Sequence, residues 1–260
     1  MTIILMSALV IGVIGIAIAL LLNFAGDKFY VEPNEKAEQI RELLPGNNCG
    51  GCGYAGCDAL AEAIAKGVAP ATACPMCTNT EKIAALCGME VKATEQKVAY
   101  VSCKGNCEKA QWSGIYFGAK DCISAKAVQQ NGGKGCKSGC MGLGSCVSAC
   151  VFGALSCQNG IAVVDETLCT GCGQCVKVCP NQLISLLPVS ALRVSCSNPE
   201  KGMAVKQVCK AGCIGCGLCE KNCPEEAIVM ENNLPVIDHG KCTRCGTCIE
   251  KCPMKVMETV

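Results

Sequence analysis

The first part of the chain is one uninterrupted apolar run, and the pattern changes abruptly after it. From Thr2 to Ala25 there is no charged residue, and Ile3–Phe24 supplies 22 residues of apolar core. A helix rises about 1.5 Å per residue, so about 20 such residues span a bilayer. The pattern therefore predicts one N-terminal transmembrane helix over 1–25, followed by a linker over 26–34.

A cleaved signal peptide is the rival interpretation of this run. It would need basic residues before a shorter apolar core, whereas the first Lys or Arg is Lys28. Lys28, Lys36 and Arg41 follow the run, so the positive-inside rule places the C-terminal bulk in the cytoplasm. We therefore expect a single-pass protein of the cell (inner) membrane.

After residue 34 the apolar positions take the period of short amphipathic helices. Residues 35–44 carry their apolar side chains on one face, and Pro45-Gly46 should end that helix. Residues 58–67 read as a second helix, with Asp58 as its expected cap. The pattern predicts a small helical domain over 35–90.

The second half of the chain repeats itself. Residues 136–180 and 209–253 align at a constant offset of 73 without a gap. In each copy two apolar runs flank a turn signal, Asn159-Gly160 in the first copy, which predicts a β-hairpin. We predict two tandem α+β units over 136–190 and 209–260, a linker over 191–208 and a connecting segment over 91–135.

Composition changes this picture, because 28 of the 260 residues are cysteine while aromatic residues make up 3%. A chain with so few aromatic side chains buries little apolar surface in its core. Metal binding can supply the folding free energy that apolar burial does not. The net charge of +1 gives no reason to expect nucleic acid as a partner. We find no P-loop and no nucleophile constellation, so the chain shows no independent catalytic site.

The spacing of the cysteines identifies their chemistry. The run Cys169-x2-Cys172-x2-Cys175-x3-Cys179-Pro180 is the bacterial ferredoxin pattern, in which the fourth cysteine ligates the partner cluster. Disulfides fit poorly with such dense C-x2-C pairs and with a reducing cytoplasm. Zinc sites usually include histidine, and His239 is the single histidine. We therefore predict two tandem bacterial-type two-cluster ferredoxin units, each with two short helices after its fourth cysteines.

The repeat assigns most of the ligands in these units. In the second unit, one set is Cys213, Cys216, Cys219 and Cys252, and the other is Cys242, Cys245, Cys248 and Cys223. In the first unit, the equivalent of the latter set is Cys169, Cys172, Cys175 and Cys150.

The first unit departs from the pattern at one position. Leu143 stands where the repeat requires the equivalent of Cys216, so that site keeps Cys140, Cys146 and Cys179 and lacks one thiolate. Cys136, four residues upstream of Cys140, is the candidate that completes it. A three-iron cluster and an empty site are the alternatives.

The helical domain carries its own cysteine motif. Cys49-x2-Cys52-x4-Cys57 is followed by Cys74-Pro75, and spacing alone allows either a [4Fe–4S] or a [2Fe–2S] cluster. Together with the N-terminal anchor, the segment LPGNNCGGCGYAGCDALAEAIAKG resembles the B subunit of the Rnf complex, in its long, clostridial-like form. That resemblance implies a [4Fe–4S] cluster on these four cysteines.

The resemblance also implies a function. The Rnf complex is an ion-translocating ferredoxin:NAD oxidoreductase, in which the B subunit would accept electrons from reduced ferredoxin and relay them to membrane partners. A stand-alone, membrane-tethered polyferredoxin is the alternative, and a zinc-stabilised interaction module is a third.

The connecting segment leaves two questions open. Cys103, Cys107 and Cys122 could bind a sixth cluster or remain free thiols, so we expect about five [4Fe–4S] clusters, or six if they bind one. The segments VSCKGNC and YFGAKDC resemble those of the long Rnf B subunits. Six lysines could form a docking face for an acidic electron carrier, although a solvated surface is the usual explanation: Lys104, Lys109, Lys120, Lys126, Lys134 and Lys137.

Overall fold

The N-terminal apolar run is helical. A computed structural model describes residues 2–28, 34–89, 95–129 and 131–259, and α1 spans Thr2–Lys28. In α1 the described side chains are Met6 and residues 12–24. Over the described residues, no helix has both the length and the apolar character that crossing a membrane requires. The predicted transmembrane anchor is therefore not confirmed by the structure.

Three helices form the first domain, and their apolar faces meet. They are α2 (Glu35–Leu43), α3 (Cys57–Ala65) and α4 (Thr80–Cys87). The side chains of Ile40, Leu60, Ile64 and Ile83 are almost fully buried between them. The helix predicted over 35–44 is confirmed, and the Asn34 side chain caps it by accepting a bond from the Lys36 N–H at 3.1 Å.

The cap predicted for α3 was wrong. The helix begins at Cys57 with Gly56 at the N-cap position, and the Asn48 side chain accepts a bond from the Cys57 N–H at 2.8 Å. Asp58 instead lies in the first turn and pairs with Arg41 at 2.6 Å. The side-chain amide of Asn48, from the preceding loop, therefore accepts the hydrogen bond at the helix N-terminus that we predicted for the Asp58 carboxylate.

The first α+β unit is built on two antiparallel strand pairs. Strands β2 and β3 form the predicted hairpin, with Asn159 and Gly160 both at positive φ in the turn. Strand β1 pairs with β4, from Lys97 opposite Pro188 to Val101 opposite Ile184. The elements are β1 (Lys97–Val101), α5 (Cys122–Gln129), α6 (Ser145–Ser148), β2 (Leu155–Gln158), β3 (Ile161–Val164), α7 (Gln174–Val178) and β4 (Ile184–Pro188).

The second unit repeats this arrangement. Its hairpin pairs β6 with β7, as predicted, and β5 pairs with the last strand, β8. Both hairpin strands lie at the repeat offset from their counterparts in the first unit. The elements are β5 (Arg193–Val194), α8 (Met203–Val208), α9 (Leu218–Lys221), β6 (Ile228–Glu231), β7 (Leu234–Ile237), α10 (Thr247–Lys251) and β8 (Met257–Glu258).

Two features of these units differ from the prediction. The short helices precede the fourth cysteines instead of following them: α6 ends before Cys150 and α7 ends before Cys179. In addition, β1 lies in the predicted connecting segment and β5 in the predicted linker, yet each pairs with the closing strand of a unit. A strand needs a hydrogen-bonded neighbour, so each segment folds onto the unit that follows it in sequence.

Candidate metal centres

Four cavities in the described part of the chain are each lined by four cysteines. The space in each, counted with its opening to solvent, is similar, at about 350, 380, 300 and 310 Å³. Four thiols that line one cavity form the donor set of an iron–sulfur cluster. We number the sites by their place in the fold, and two further sites without such a cavity complete the series.

Two of the cavities contain sets that the spacing predicted. Site 2 is lined by Cys150, Cys169, Cys172 and Cys175. Site 6 is lined by Cys223, Cys242, Cys245 and Cys248.

Burial and mutual proximity shape the thiols of these two sites. Burial raises the pKa of Cys175 to about 11, and the nearby Cys169 adds to the shift. Burial raises the pKa of Cys248 to about 11 in the same way, with Cys242 adding to it. The Ala99 N–H of β1 donates to the Cys169 sulfur at 3.3 Å, which is the kind of bond that tunes a cluster. The strand from the connecting segment thus serves site 2.

Site 5 is the set that the repeat predicts: Cys213, Cys216, Cys219 and Cys252. The structure packs Cys213, Cys219 and Cys252 in one core, and Cys216 is exposed. Burial raises the pKa of Cys213 to about 11, and the neighbouring thiols of Cys219 and Cys252 contribute. Burial also raises the pKa of Cys219, with Cys216 and Cys252 adding to the shift. The Val256 N–H donates to the Cys252 sulfur at 3.4 Å.

Site 3 corrects the ligand predicted beside Leu143. Its cavity is lined by Cys122, Cys140, Cys146 and Cys179, and Cys136 is not among its lining residues. Leu143 packs in an apolar cluster with Cys122, the first residue of α5. Cys136 is four residues from Cys140 in sequence but lines a different cavity, whereas Cys122, from a helix of the connecting segment, brings a fourth thiol to this one.

Hydrogen bonds hold Cys122 at site 3. The Ser145 hydroxyl accepts a bond from the Cys122 N–H at 2.8 Å and donates to the Asp121 carboxylate at 2.6 Å. Asp121 also accepts from the Ser124 N–H at 2.8 Å, as an N-cap does. The Ser145 bond lowers the pKa of Asp121 to about 2. The sequence signal that could have revealed this ligand is the capping pattern Asp121-Cys122-x-Ser124.

Site 1 lies in the helical domain. The structure places Cys57 and Cys74 in its apolar core with Cys52 packed against them, and Cys49 stands three residues before Cys52 on the same loop. Burial raises the pKa of Cys74, and nearby Cys77 and Cys52 add to it. The Cys77 thiol donates to the Leu43 carbonyl at 3.6 Å.

Site 4 is a set that the sequence did not reveal. Its cavity is lined by Cys103, Cys136, Cys196 and Cys209. The sixth cluster that we considered on Cys103, Cys107 and Cys122 is wrong as a set, because Cys103 and Cys122 line different cavities and Cys107 is exposed.

Of the six lysines of the connecting segment, one is buried and two others have partners within the chain. Lys134 is 4% exposed, and its ammonium donates to the carbonyls of Gly105, Cys140 and Gly160 at 2.6–2.8 Å. Lys104 pairs with Glu258. Lys126 donates to the Pro180 carbonyl. Three of the six lysines therefore have partners within the chain, while Lys109, Lys120 and Lys137 are exposed.

The donor sets fit multi-iron clusters chemically. Within the described ranges, no three His, Cys, Asp or Glu side chains are close enough together to hold a single metal ion. In a [4Fe–4S] cluster each thiolate binds a different iron, so the four sulfurs stand farther apart than around one ion. Burial raises the pKa of several of these thiols, among them Cys146, Cys175 and Cys248, so cluster binding must release their protons.

Family models agree with the cysteine sets. A model for an Fe-S cluster matches residues 44–76. A 4Fe-4S binding domain matches residues 162–185, and a 4Fe-4S dicluster domain matches residues 212–257. The chain therefore carries several iron–sulfur domains, with [4Fe–4S] clusters as their cofactors.

Three relatives that match most of the chain are B subunits of one kind of complex. The chain is 41% identical to the B subunit of the Na(+)-translocating ferredoxin:NAD(+) oxidoreductase complex of Acetobacterium woodii, over 90% of this chain and 71% of the relative. It is 40% identical to the B subunit of the proton-translocating complex of Clostridium ljungdahlii, over 93% and 87%. It is 41% identical to the B subunit of the ion-translocating oxidoreductase complex of Methanosarcina acetivorans, over 97% of each.

Proposed function

We propose that this chain, which belongs to the family of B subunits of ion-translocating ferredoxin:NAD(+) oxidoreductase complexes, accepts electrons from reduced ferredoxin. It is an iron–sulfur electron-transfer subunit. It passes the electrons, one at a time, to membrane subunits of the same complex. Flavin and NAD sites belong to those other subunits. The chain itself makes no bond and breaks none.

We assign the ligands of this relay by the cysteine sets that the fold brings together. Sites 1, 2, 3, 5 and 6 each hold a [4Fe–4S] cluster. Four of the five sets follow the predicted spacing, and Cys122 replaces Cys136 as the fourth ligand at site 3. When bound, each cluster supplies a one-electron acceptor and donor, and the N–H groups directed at sulfur tune its potential.

The observation that carries the proposal is the direct contact between neighbouring sites. The Gln174 side chain, beside site 2, donates to the Cys49 carbonyl of the site 1 loop at 2.9 Å. Gly51 of that loop faces the Cys172 backbone so closely that an added Cβ would stand 2.8 Å from the Cys172 carbonyl oxygen. Tunnelling rates fall steeply with distance, so such contact favours electron transfer between the two sites.

The N-terminal helix provides the membrane attachment in this proposal. Its apolar run is long enough to span a bilayer, and Leu20, Leu21 and Leu22 are 65–69% exposed. The chain crosses the membrane once, with the cluster domains on the cytoplasmic side, since the first positive charges follow the run. Expressed without the other subunits of the complex, a chain that begins at residue 34 should leave the membrane fraction, whereas persistent membrane association would contradict the anchor.

The donor can be tested in a rapid-mixing experiment. Reduced ferredoxin should bleach the cluster absorbance of the full chain in mild detergent, at a rate that falls with rising salt if charges steer the encounter. Reversal of the exposed Lys109, Lys120 and Lys137 to Glu should flatten that salt dependence. An unchanged salt slope would exclude this docking face, and no bleaching would exclude ferredoxin as the donor.

Membership of a complex is tested by mild-detergent purification from native membranes. We expect other membrane subunits to co-purify with the chain. Isolation as a lone, iron-loaded protein would instead favour the stand-alone polyferredoxin. Zinc in place of iron and acid-labile sulfide would favour the interaction module.

A further inference from the structure

Site 4 lies outside every regular ferredoxin run, yet its cavity matches the others in size and in cysteine number. The empty volume is about 380 Å³, and the lining includes Cys103, Cys136, Cys196 and Cys209. Cys136 and Cys209 are buried, and Cys103 and Cys196 are half-buried. Four thiols gathered from four separate segments, over about a hundred residues of sequence, require an explanation.

The site has the symmetry of the repeat. Cys136 and Cys209 are equivalent at the offset of 73, and Cys103 and Cys196 each end a Val-Ser-Cys segment that follows a strand, β1 or β5. The Ser197 hydroxyl donates to the Ser102 carbonyl at 2.8 Å and holds these two segments together. Each unit therefore contributes one strand-end cysteine and one cysteine from the start of its repeat.

The loop around site 4 is fitted to sulfur. A Cβ at Gly105 would stand 3.2 Å from the Cys209 sulfur and 3.7 Å from the Cys103 sulfur, so these two sulfurs converge on the glycine. The buried Lys134 also lines the cavity. A cluster bound by four thiolates carries net negative charge, and this ammonium would partly balance it.

We propose that Cys103, Cys136, Cys196 and Cys209 bind a sixth [4Fe–4S] cluster at the junction of the two ferredoxin units. The inference rests on the proposed function of the chain as an electron relay. A cluster held by these four thiolates would supply a one-electron acceptor and donor, taking one electron from one neighbouring site and giving one to the other, with no bond made or broken.

The position gives this cluster its role. The Cys140 N–H of site 3 donates to the Cys103 sulfur at 3.3 Å. Cys196 packs against the apolar cluster that contains Cys213 of site 5, as Cys103 packs against the cluster that contains Cys140. Cys140 and Cys213 are themselves equivalent in the repeat. Site 4 thus contacts site 3 and site 5 in the same way and joins the two units into one continuous relay.

The test is cluster counting on the full chain in detergent. Native mass spectrometry of the unaltered protein should show six clusters, and Cys196→Ser should lose about four irons and four sulfides per chain. Cys107→Ser is the matched control, because Cys107 is exposed in the same segment as Cys103 and lines none of the four cavities; its iron content should not change.

Each other outcome has a distinct meaning. Five clusters in the unaltered protein would overturn the sixth cluster and leave the proposed function intact. One zinc ion or a disulfide at these cysteines would overturn it too. An unaltered protein without iron would overturn the proposed function itself. The count on the unaltered chain remains decisive if Cys196→Ser fails to fold.

Discussion

Single side chains decide which cysteines can share a cluster. At site 3 the chain replaces a regular ligand by Leu143 and supplies Cys122 from a helix about twenty residues upstream. The leucine packs on the helix that brings the substitute thiol. The leucine at position 143 and the thiol of Cys122 are therefore linked, because both pack in the same apolar cluster.

This exchange of ligands predicts a rescue. Cys122→Ala should remove one cluster, or convert it to a three-iron form, because three thiolates remain at site 3. Adding Leu143→Cys to that variant should restore four irons, since residue 143 occupies the position of Cys216 in the second unit. Low-temperature EPR with iron analysis measures both results. The variant Cys136→Ala with Leu143→Cys is the counter-test. If Leu143→Cys restored the iron that Cys136→Ala removes, Cys136 and not Cys122 would be the fourth ligand of site 3.

Gly51 controls the approach of site 1 to site 2. Gly51→Ala should separate the two loops, because its Cβ would stand 2.8 Å from the Cys172 carbonyl oxygen. We expect unchanged iron content and slower electron transfer between the two clusters, measured by flash or rapid-mixing reduction. Gly53→Ala is the control: it meets nothing within 4 Å and adds only the backbone strain of φ +88°. Equal slowing in both variants would exclude the contact as the cause.

Strands β1 and β5 carry contacts between the two ferredoxin units. Arg193 of β5 is 4% exposed, pairs with Glu166 of the first unit, and donates to the Val189 carbonyl at 2.9 Å. Its guanidinium also stands 5.2 Å from the centroid of the Tyr100 ring of β1. A buried cation thus joins the two units near their closing strands.

Removal of this cation should weaken the junction. Arg193→Met should lower the free energy of unfolding by about 3 kcal/mol, because the partly buried Glu166 loses its partner. The midpoint of cluster bleaching in guanidinium measures the loss. Lys206→Met, an exposed cation of α8, should have an effect below about 0.5 kcal/mol. A similar loss of stability in both variants would show that the removal of any positive charge, and not the loss of the Arg193–Glu166 ion pair, is responsible.

The molecule as a whole divides its stability unevenly. The helical domain packs Ile40, Leu60, Ile64 and Ile83 in its core, whereas cysteines occupy much of the two ferredoxin cores. The latter therefore depend on cluster binding, since metal–ligand free energy takes the place of apolar burial there.

Cluster removal tests this division. After oxidative removal of iron under chelation, backbone amides of β2, β3, β6 and β7 should lose hydrogen-exchange protection, while amides of α3 should keep part of theirs. Mass spectrometry of peptides after exchange makes the comparison within one sample. Equal loss in all regions would show that the helical domain also depends on its cluster.

Much of this organisation was predictable because its signals are local. The ferredoxin runs, the hairpins at Asn159-Gly160 and at Asn232-Asn233, and the helix over 35–44 each depend on residues a few positions apart. The misassigned Cys136 shows the limit of such reasoning. Nearness in sequence favoured Cys136 for site 3, but Cys136 lines the cavity of site 4, and Cys122 lines that of site 3.

The sequence by itself therefore determined the chemistry, the repeat and most of the ligand sets, because cluster ligation uses short, fixed cysteine spacings. Only the tertiary structure brings Cys122 to the cavity of site 3 and gathers four cysteines, from Cys103 to Cys209, around the cavity of site 4. Those thiols meet because β1 and β5 pair with distant closing strands. No periodicity along the chain encodes that convergence, since it arises from pairing between segments far apart in sequence.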